Sequence, residues 1–204
     1  MAYSDFTLTT LRKTFGIAHQ RTSLFEHIPA VKVSEWLAET LGKGKQLVID
    51  TEKARSEFIV APILLASRDL NHGRFAIYSG KTLNIDPDKG LKGECDFILT
   101  CTPPFQELES PIMTIVEAKR QDIERGLGQC AAQMVGARLF NQSDSTGIDT
   151  IFGCVTTGEA WQFLKLEQES VYIDSERYYV NNVPQILGVI QVIIDFYVEQ
   201  LDGN

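Results

Sequence analysis

The sequence predicts an α/β (α+β) fold: one domain built on a central mixed β-sheet with helices packed on it. Three observations predict it. The local patterns run helix, three strands, helix, strand pair, helix, an order that fits a sheet flanked by helices. The 204 residues are 44% hydrophobic and 23% charged, enough to bury a sizeable core. There is no internal repeat, low-complexity tract or long Pro/Ser/Gly linker, so no boundary is placed within residues 1–204.

The first 30 residues read as an arm, and their start, "MAYSDFTLTTLRKTFGIAHQ", lacks the basic opening and apolar run of a secretory signal. "VSEWLAETLGKGK" is a short helix with Ser34 as N-cap and glycines at its end. A second helix starts near Thr51, where Phe58, Ile59, Ile63 and Leu64 give an apolar stripe. Pro62 in its middle should kink or split it. Strand patterns follow at "RFAIYSG" with "KTLNID", at "GECDFILT" and at "PIMTIVEAK", separated by the turn-rich "DPDKG" and "CTPPFQELESP". Next come a helix, "DIERGLGQCAAQMVGARLFNQ", two strands turning at Gly158, the strand "SVYIDS" and a last helix over 183–201.

That last helix contains "ILGVIQVIIDFYV", which is short for a bilayer span of about 20 residues and carries Gln191 and Asp195. No membrane contact is expected. Its apolar residues lie on nearly all sides (Ile186, Leu187, Val189, Ile190, Val192, Ile193, Ile194, Phe196, Tyr197), more than one buried face requires. A homodimer that buries this helix is the expectation.

The net charge of −8 excludes a protein that coats nucleic acid by bulk attraction, which needs a basic face to release counterions. A local site remains open, because carboxylates that hold cations can sit beside a few Lys and Arg. The four cysteines, Cys95, Cys101, Cys130 and Cys154, have no C-x-x-C spacing and sit in apolar patterns, so they read as small buried thiols of a cytoplasmic protein. His19, His27 and His72 are scattered and suggest no histidine metal centre.

Residues two apart on a strand share a face. Glu117 and Lys119 in "IMTIVEAK" therefore point the same way, and Asp96 in "GECDFILT" meets Glu117 if the neighbouring strand turns it to that side. Two carboxylates that close repel each other, and a hard divalent cation with oxygen ligands offsets this. Lys119 would then orient or help deprotonate a water and stabilise charge on a phosphate. Each residue alone also has an ordinary reading: E-x-K is a common exposed strand pair, an Asp just after a turn is turn chemistry, and Trp161 and Phe163 fill a core.

Together these residues resemble the PD-(D/E)XK, or restriction-endonuclease-like, nucleases, closest to restriction-subunit-like nuclease domains. The resemblance spans about 50–170 and implies a core ordered α-β-β-β-α-β, followed here by an extra hairpin and the C-terminal helix. Its acidic helix residue matches Glu57 in "ARSEFIVAPIL", its strand Asp matches Asp96, its E-x-K matches Glu117 and Lys119, and its helix Gln matches Gln129 in "GLGQCAAQM". Cys95 stands where a Pro gives the motif its title, and "APILL" and "TTGEAWQFLKL" approximate segments of the same domains.

The resemblance implies Mg2+ or Mn2+ held by Asp96, Glu117, the Ala118 carbonyl and Glu57, with Lys119 and Gln129 completing the catalytic set. DNA is the implied substrate. For Glu57 an i−4 pair with Lys53 is the alternative, and Glu94 is either a substitute ligand or an exposed strand end. Arg120 and Arg125 are candidates for the DNA backbone or for plain solvation, and Gln133, four residues after Gln129, for a nucleic-acid contact or an ordinary surface position. A module that keeps the nuclease fold for binding alone is the rival expectation.

Overall fold

The computed structural model describes residues 1–103 and 105–202. It is an α+β arrangement around a mixed eight-stranded sheet in the order β1-β7-β6-β5-β4-β3-β2, with the short β8 (Tyr178–Tyr179) also paired to β6. The strands β2 (Ala76–Thr82), β3 (Glu94–Thr100) and β4 (Ile112–Ala118) form an antiparallel meander. The helix α5 (Ile123–Ser143) then carries the chain to β5 (Ile151–Thr156), which lies parallel to β4 with Val116 opposite Cys154. β6 (Ala160–Glu167) and β7 (Ser170–Asp174) extend the sheet antiparallel. β7 is joined by β1 (Ala18–Thr22), which is parallel to it.

Each face of the sheet carries its own core. On one, α5 and the N-terminal segment with α1 (Leu8–Phe15) bury Tyr3, Phe6, Leu11, Leu127 and Ala131 against Ile98, Ile115 and Val155. On the other, α2 (Glu35–Gly44), α4 (Ala61–Leu70) and α6 (Val183–Asp202) cover Phe97, Leu99, Val116 and Phe163. The first 30 residues thus supply a helix, an edge strand and core side chains. Ser34 caps α2 by accepting from the Leu37 N–H at 3.2 Å.

Pro62 has the expected effect by a specific route. The short α3 (Glu52–Arg55) passes into a π-helical stretch, Ser56–Val60, before α4 begins. Proline has no N–H to offer and its ring crowds the carbonyl four residues back, so a wider turn relieves both problems. The Ala61 N–H reaches the Ser56 carbonyl instead. The wider turn also moves the apolar stripe: Val60, Ile63 and Leu64 are buried, whereas Phe58 is 38% exposed.

The apolar last helix is accounted for within the chain. Ile186, Leu187, Val189, Ile190, Ile193, Ile194 and Tyr197 are all buried, and Val192 and Phe196 are half-buried. It packs on two sides: Phe196 and Tyr197 meet Phe152 of the sheet edge-on, and Gly188 lies against Ile28 and Pro29. The apolar excess therefore no longer argues for a dimer. Gln191, the polar break in its pattern, exchanges two 2.9 Å amide hydrogen bonds with Asn71 at the end of α4. Among the described residues no helix is long and apolar enough to cross a membrane.

Candidate active site

β4 is buried along its whole length, and its C-terminal end carries the polar centre. Glu117 is only 2% exposed. Its Oε1 accepts from Lys119 Nζ at 2.6 Å and its Oε2 from Gln133 Nε2 at 2.9 Å. Lys119 Nζ also donates to Gln129 Oε1 at 3.0 Å. One strand end and one helix face therefore hold a connected Gln129–Lys119–Glu117–Gln133 network. Lys119 has room because Gly126 lies beside it: a Cβ there would fall 2.5 Å from Val155 Cγ1 and 3.1 Å from Lys119 Cγ.

Asp96 is brought to the same place by the sheet register. Phe97 pairs with Val116, and one step further along an antiparallel pair sets Asp96 opposite Glu117. Asp96 Oδ2 accepts from the Ala118 N–H at 2.7 Å, and among the described residues its second oxygen has no hydrogen-bond donor. Asp96 also lines a cleft of about 470 Å³ with Glu52, Lys53, Ser56, Glu57, Ser79, Gly80, Glu94 and Phe97.

Burial sets the electrostatics. Desolvation, reinforced by the charge of Asp96, pushes Glu117 up to about 7 although Lys119 and Gln133 pull the other way. Asp96 is raised chiefly by desolvation, with Glu52 and Glu94 adding repulsion while the Ala118 N–H and Lys119 oppose it. Desolvation works against the Lys119 cation, but the charges of Glu117, Glu52 and Asp96 and the bond to Glu117 outweigh it and hold Lys119 above its ordinary value. The buried Glu117 and the half-buried Asp96 thus both feel one ammonium group, which is in contact with Glu117. A divalent cation fits this donor set, since both groups are hard oxygen ligands and Asp96 keeps an oxygen free of donors. Among the described residues, however, no three His, Cys, Asp or Glu side chains are grouped as a ready cage.

The remaining candidates divide. Ala118 ends β4 with its side chain buried and its N–H on Asp96. Glu57 borders the cleft, but its carboxylate pairs with Lys53 at 3.8 Å, the i−4 alternative. Glu94 is exposed at the cleft. Arg120 is exposed with its N–H on Glu52, and Arg125 pairs with Asp122 at 3.3 Å, so neither touches the carboxylate centre. Gln133 needs correction: it is wholly buried, spends its N–H groups on Glu117 and the Glu94 carbonyl, and offers no surface to a nucleic acid. Trp161 and Phe163 are likewise buried, with the Trp161 indole N–H donating to the Gly158 carbonyl at 3.1 Å.

Sequence reasoning missed Glu52. It lines the cleft, accepts from the Arg120 N–H at 3.1 Å and acts electrostatically on both Asp96 and Lys119. Its position just after the Thr51 cap reads as first-turn helix chemistry, and only the fold brings it beside β4. Neither a protein-family profile nor a curated protein matches the chain.

Proposed function

We propose that this protein is a divalent-metal-dependent nuclease that hydrolyses phosphodiester bonds in DNA. The observation that carries the reading is Glu117, a buried carboxylate held by Lys119 on one oxygen, with the half-free Asp96 carboxylate next to it at a cleft. The order of elements supports it as well. A helix, three strands, a second helix and a strand is the order that the PD-(D/E)XK resemblance implies, and α4, β2, β3, β4, α5 and β5 follow one another in that order.

Asp96 and Glu117 would hold Mg2+ or Mn2+, with the Ala118 carbonyl as a further oxygen donor and Glu57 at the cleft wall. When bound, the cation supplies Lewis-acid stabilisation of phosphate charge and makes water more acidic. Lys119 keeps its proton and presents it to the phosphate oxygen or the attacking water, while Gln129 fixes the direction of its ammonium group. Gln133 holds Glu117 from behind.

A second reading, a non-catalytic module on the same fold, is favoured by the lack of a three-ligand cage among the described residues. One experiment separates the two. Supercoiled, linear and single-stranded DNA and RNA are incubated with purified protein in magnesium or manganese and in chelator, beside Asp96→Asn and Lys119→Ala. Metal-dependent cutting by the wild type that both variants lose is the expected result. Binding without cutting by all three proteins would establish the module instead.

A further inference from the structure

We infer that Arg21 and Arg177 form a docking track for the phosphate backbone of the nucleic acid, running from the candidate active site across the start of α5; this rests on the nuclease reading above. The strands β4, β5, β7 and β1 all run in one direction, so their ends lie along one edge of the sheet. Lys119 and Arg120 follow β4, Arg177 follows β7, and Arg21 is the penultimate residue of β1. Ligands of open sheets of this kind gather outside the carboxyl ends of such strands.

The chain has 27 acidic and 19 basic residues, and this end of the sheet carries both signs: Glu52 accepts from the Arg120 N–H, Asp122 pairs with Arg125, and Asp174 and Glu176 precede Arg177. What marks it is how two exposed arginines from different strand ends meet. Arg21 reaches both Glu124 oxygens, at 2.8 and 3.0 Å, and Arg177 converges on the same Oε1. Two guanidinium groups meeting at one acidic oxygen is an arrangement that a phosphate oxygen can take over, because guanidinium donors match phosphate as well as carboxylate.

Arg177 is also preset for the task. Its Nε donates at 3.0 Å to Oε1 of the fully buried Gln162, whose own N–H groups hold the Asp174 and Glu176 carbonyls. The side chains remain open to solvent, 46% for Arg21, 37% for Arg177 and 53% for Glu124. Glu124 therefore occupies the seat of a phosphate in the free protein, and a DNA backbone displaces it.

The test is binding of labelled duplex and single-stranded DNA by the full chain in calcium, from about 50 to about 200 mM salt, for the wild type, Arg21→Gln, Arg21→Lys and Glu124→Gln. Losing one phosphate contact lowers the salt slope by about one and weakens binding on the order of tenfold at the low-salt end. Arg21→Gln should show this, with the loss appearing in KM rather than kcat when magnesium is added. Arg21→Lys should restore most of it, and Glu124→Gln should shift affinity the opposite way by releasing both arginines. Unchanged affinity and slope in Arg21→Gln and Glu124→Gln, with a wild type that binds and cuts, would overturn the track and leave the nuclease reading intact. A wild type that neither binds nor cuts overturns both. Thermal melts of each variant show that the fold is kept.

Discussion

Gln133 donates to Glu117 Oε2 at 2.9 Å from a position with no exposure to water. It is one of two side chains that hold the Glu117 carboxylate, and leaving a buried charged acceptor short of a donor costs about 1–3 kcal/mol or more. Gln133→Leu should therefore lower the melting temperature and loosen Glu117. Gln133→Glu should be worse, because it sets a second carboxylate against the first. Thermal unfolding of the two variants checks the order, and equal stability of all three proteins would show that the contact carries no weight.

Lys119 and Glu117 form a partly buried ion pair at 2.6 Å, with 20% and 3% of their side chains exposed. Removing one partner of such a pair strands the other charge and costs roughly 3–5 kcal/mol, whereas neutralising both is much milder. Lys119→Met should destabilise strongly, and adding Glu117→Gln should recover most of the loss. Glu117→Gln alone strands the Lys119 ammonium group, which is 20% exposed and keeps its bond to Gln129, so it should destabilise less than Lys119→Met while abolishing any melting-temperature rise caused by manganese. A double-mutant cycle from urea melts gives the coupling directly.

The centre of the site is legible in the sequence because strand alternation is a local rule. Two-residue spacing places Glu117 and Lys119 on one face, whereas the side that Asp96 of "GECDFILT" takes is left open until β3 pairs with β4. Gln133 was not legible, since four-residue spacing from Gln129 shows only a shared helix face. Whether that face meets water depends on the sheet and on the N-terminal segment lying against α5, where the Thr7 backbone comes within 2.5 Å of where a Gly128 Cβ would be. The last helix shows the same limit: composition reveals an all-round apolar surface, but its own sheet and the Ile28–Pro29 segment supply the covering that a second copy would otherwise give.

Gly126→Ala tests the route of Lys119. Alanine is favoured over glycine in a helix by about 1 kcal/mol, yet its Cβ would sit 2.5 Å from Val155 Cγ1 and 3.1 Å from Lys119 Cγ. Overpacking of this kind typically costs 1–3 kcal/mol. The variant should melt below the wild type and should lose cleavage rate more than DNA affinity, because the ammonium group is displaced from Gln129. Gly42→Ala, which meets nothing within 4 Å, is the control and should be neutral or stabilising.

The buried acidic hydrogens of the core make stability depend on pH at the alkaline end. Burial pushes the Cys101 thiol from 9.0 up to about 12, and it raises the Tyr197 phenol, which donates to the Met113 and Thr150 carbonyls. Above pH 9.0 the unfolded chain releases protons that the folded chain retains. The folded state then binds more protons, so unfolding free energy falls as pH rises. This contribution is neutral below the unfolded pKa and grows as a penalty until the folded pKa is passed. Urea midpoints should accordingly drop between about pH 8.5 and about 12, and Tyr197→Phe should flatten part of the slope while costing stability at neutral pH through its lost hydrogen bonds. All four cysteines are free thiols, and three are buried, so iodoacetamide at mildly alkaline pH should label the native protein far more slowly than the unfolded chain. Rapid native labelling of Cys95, Cys130 or Cys154, or a midpoint indifferent to alkali, would contradict the placement of these groups.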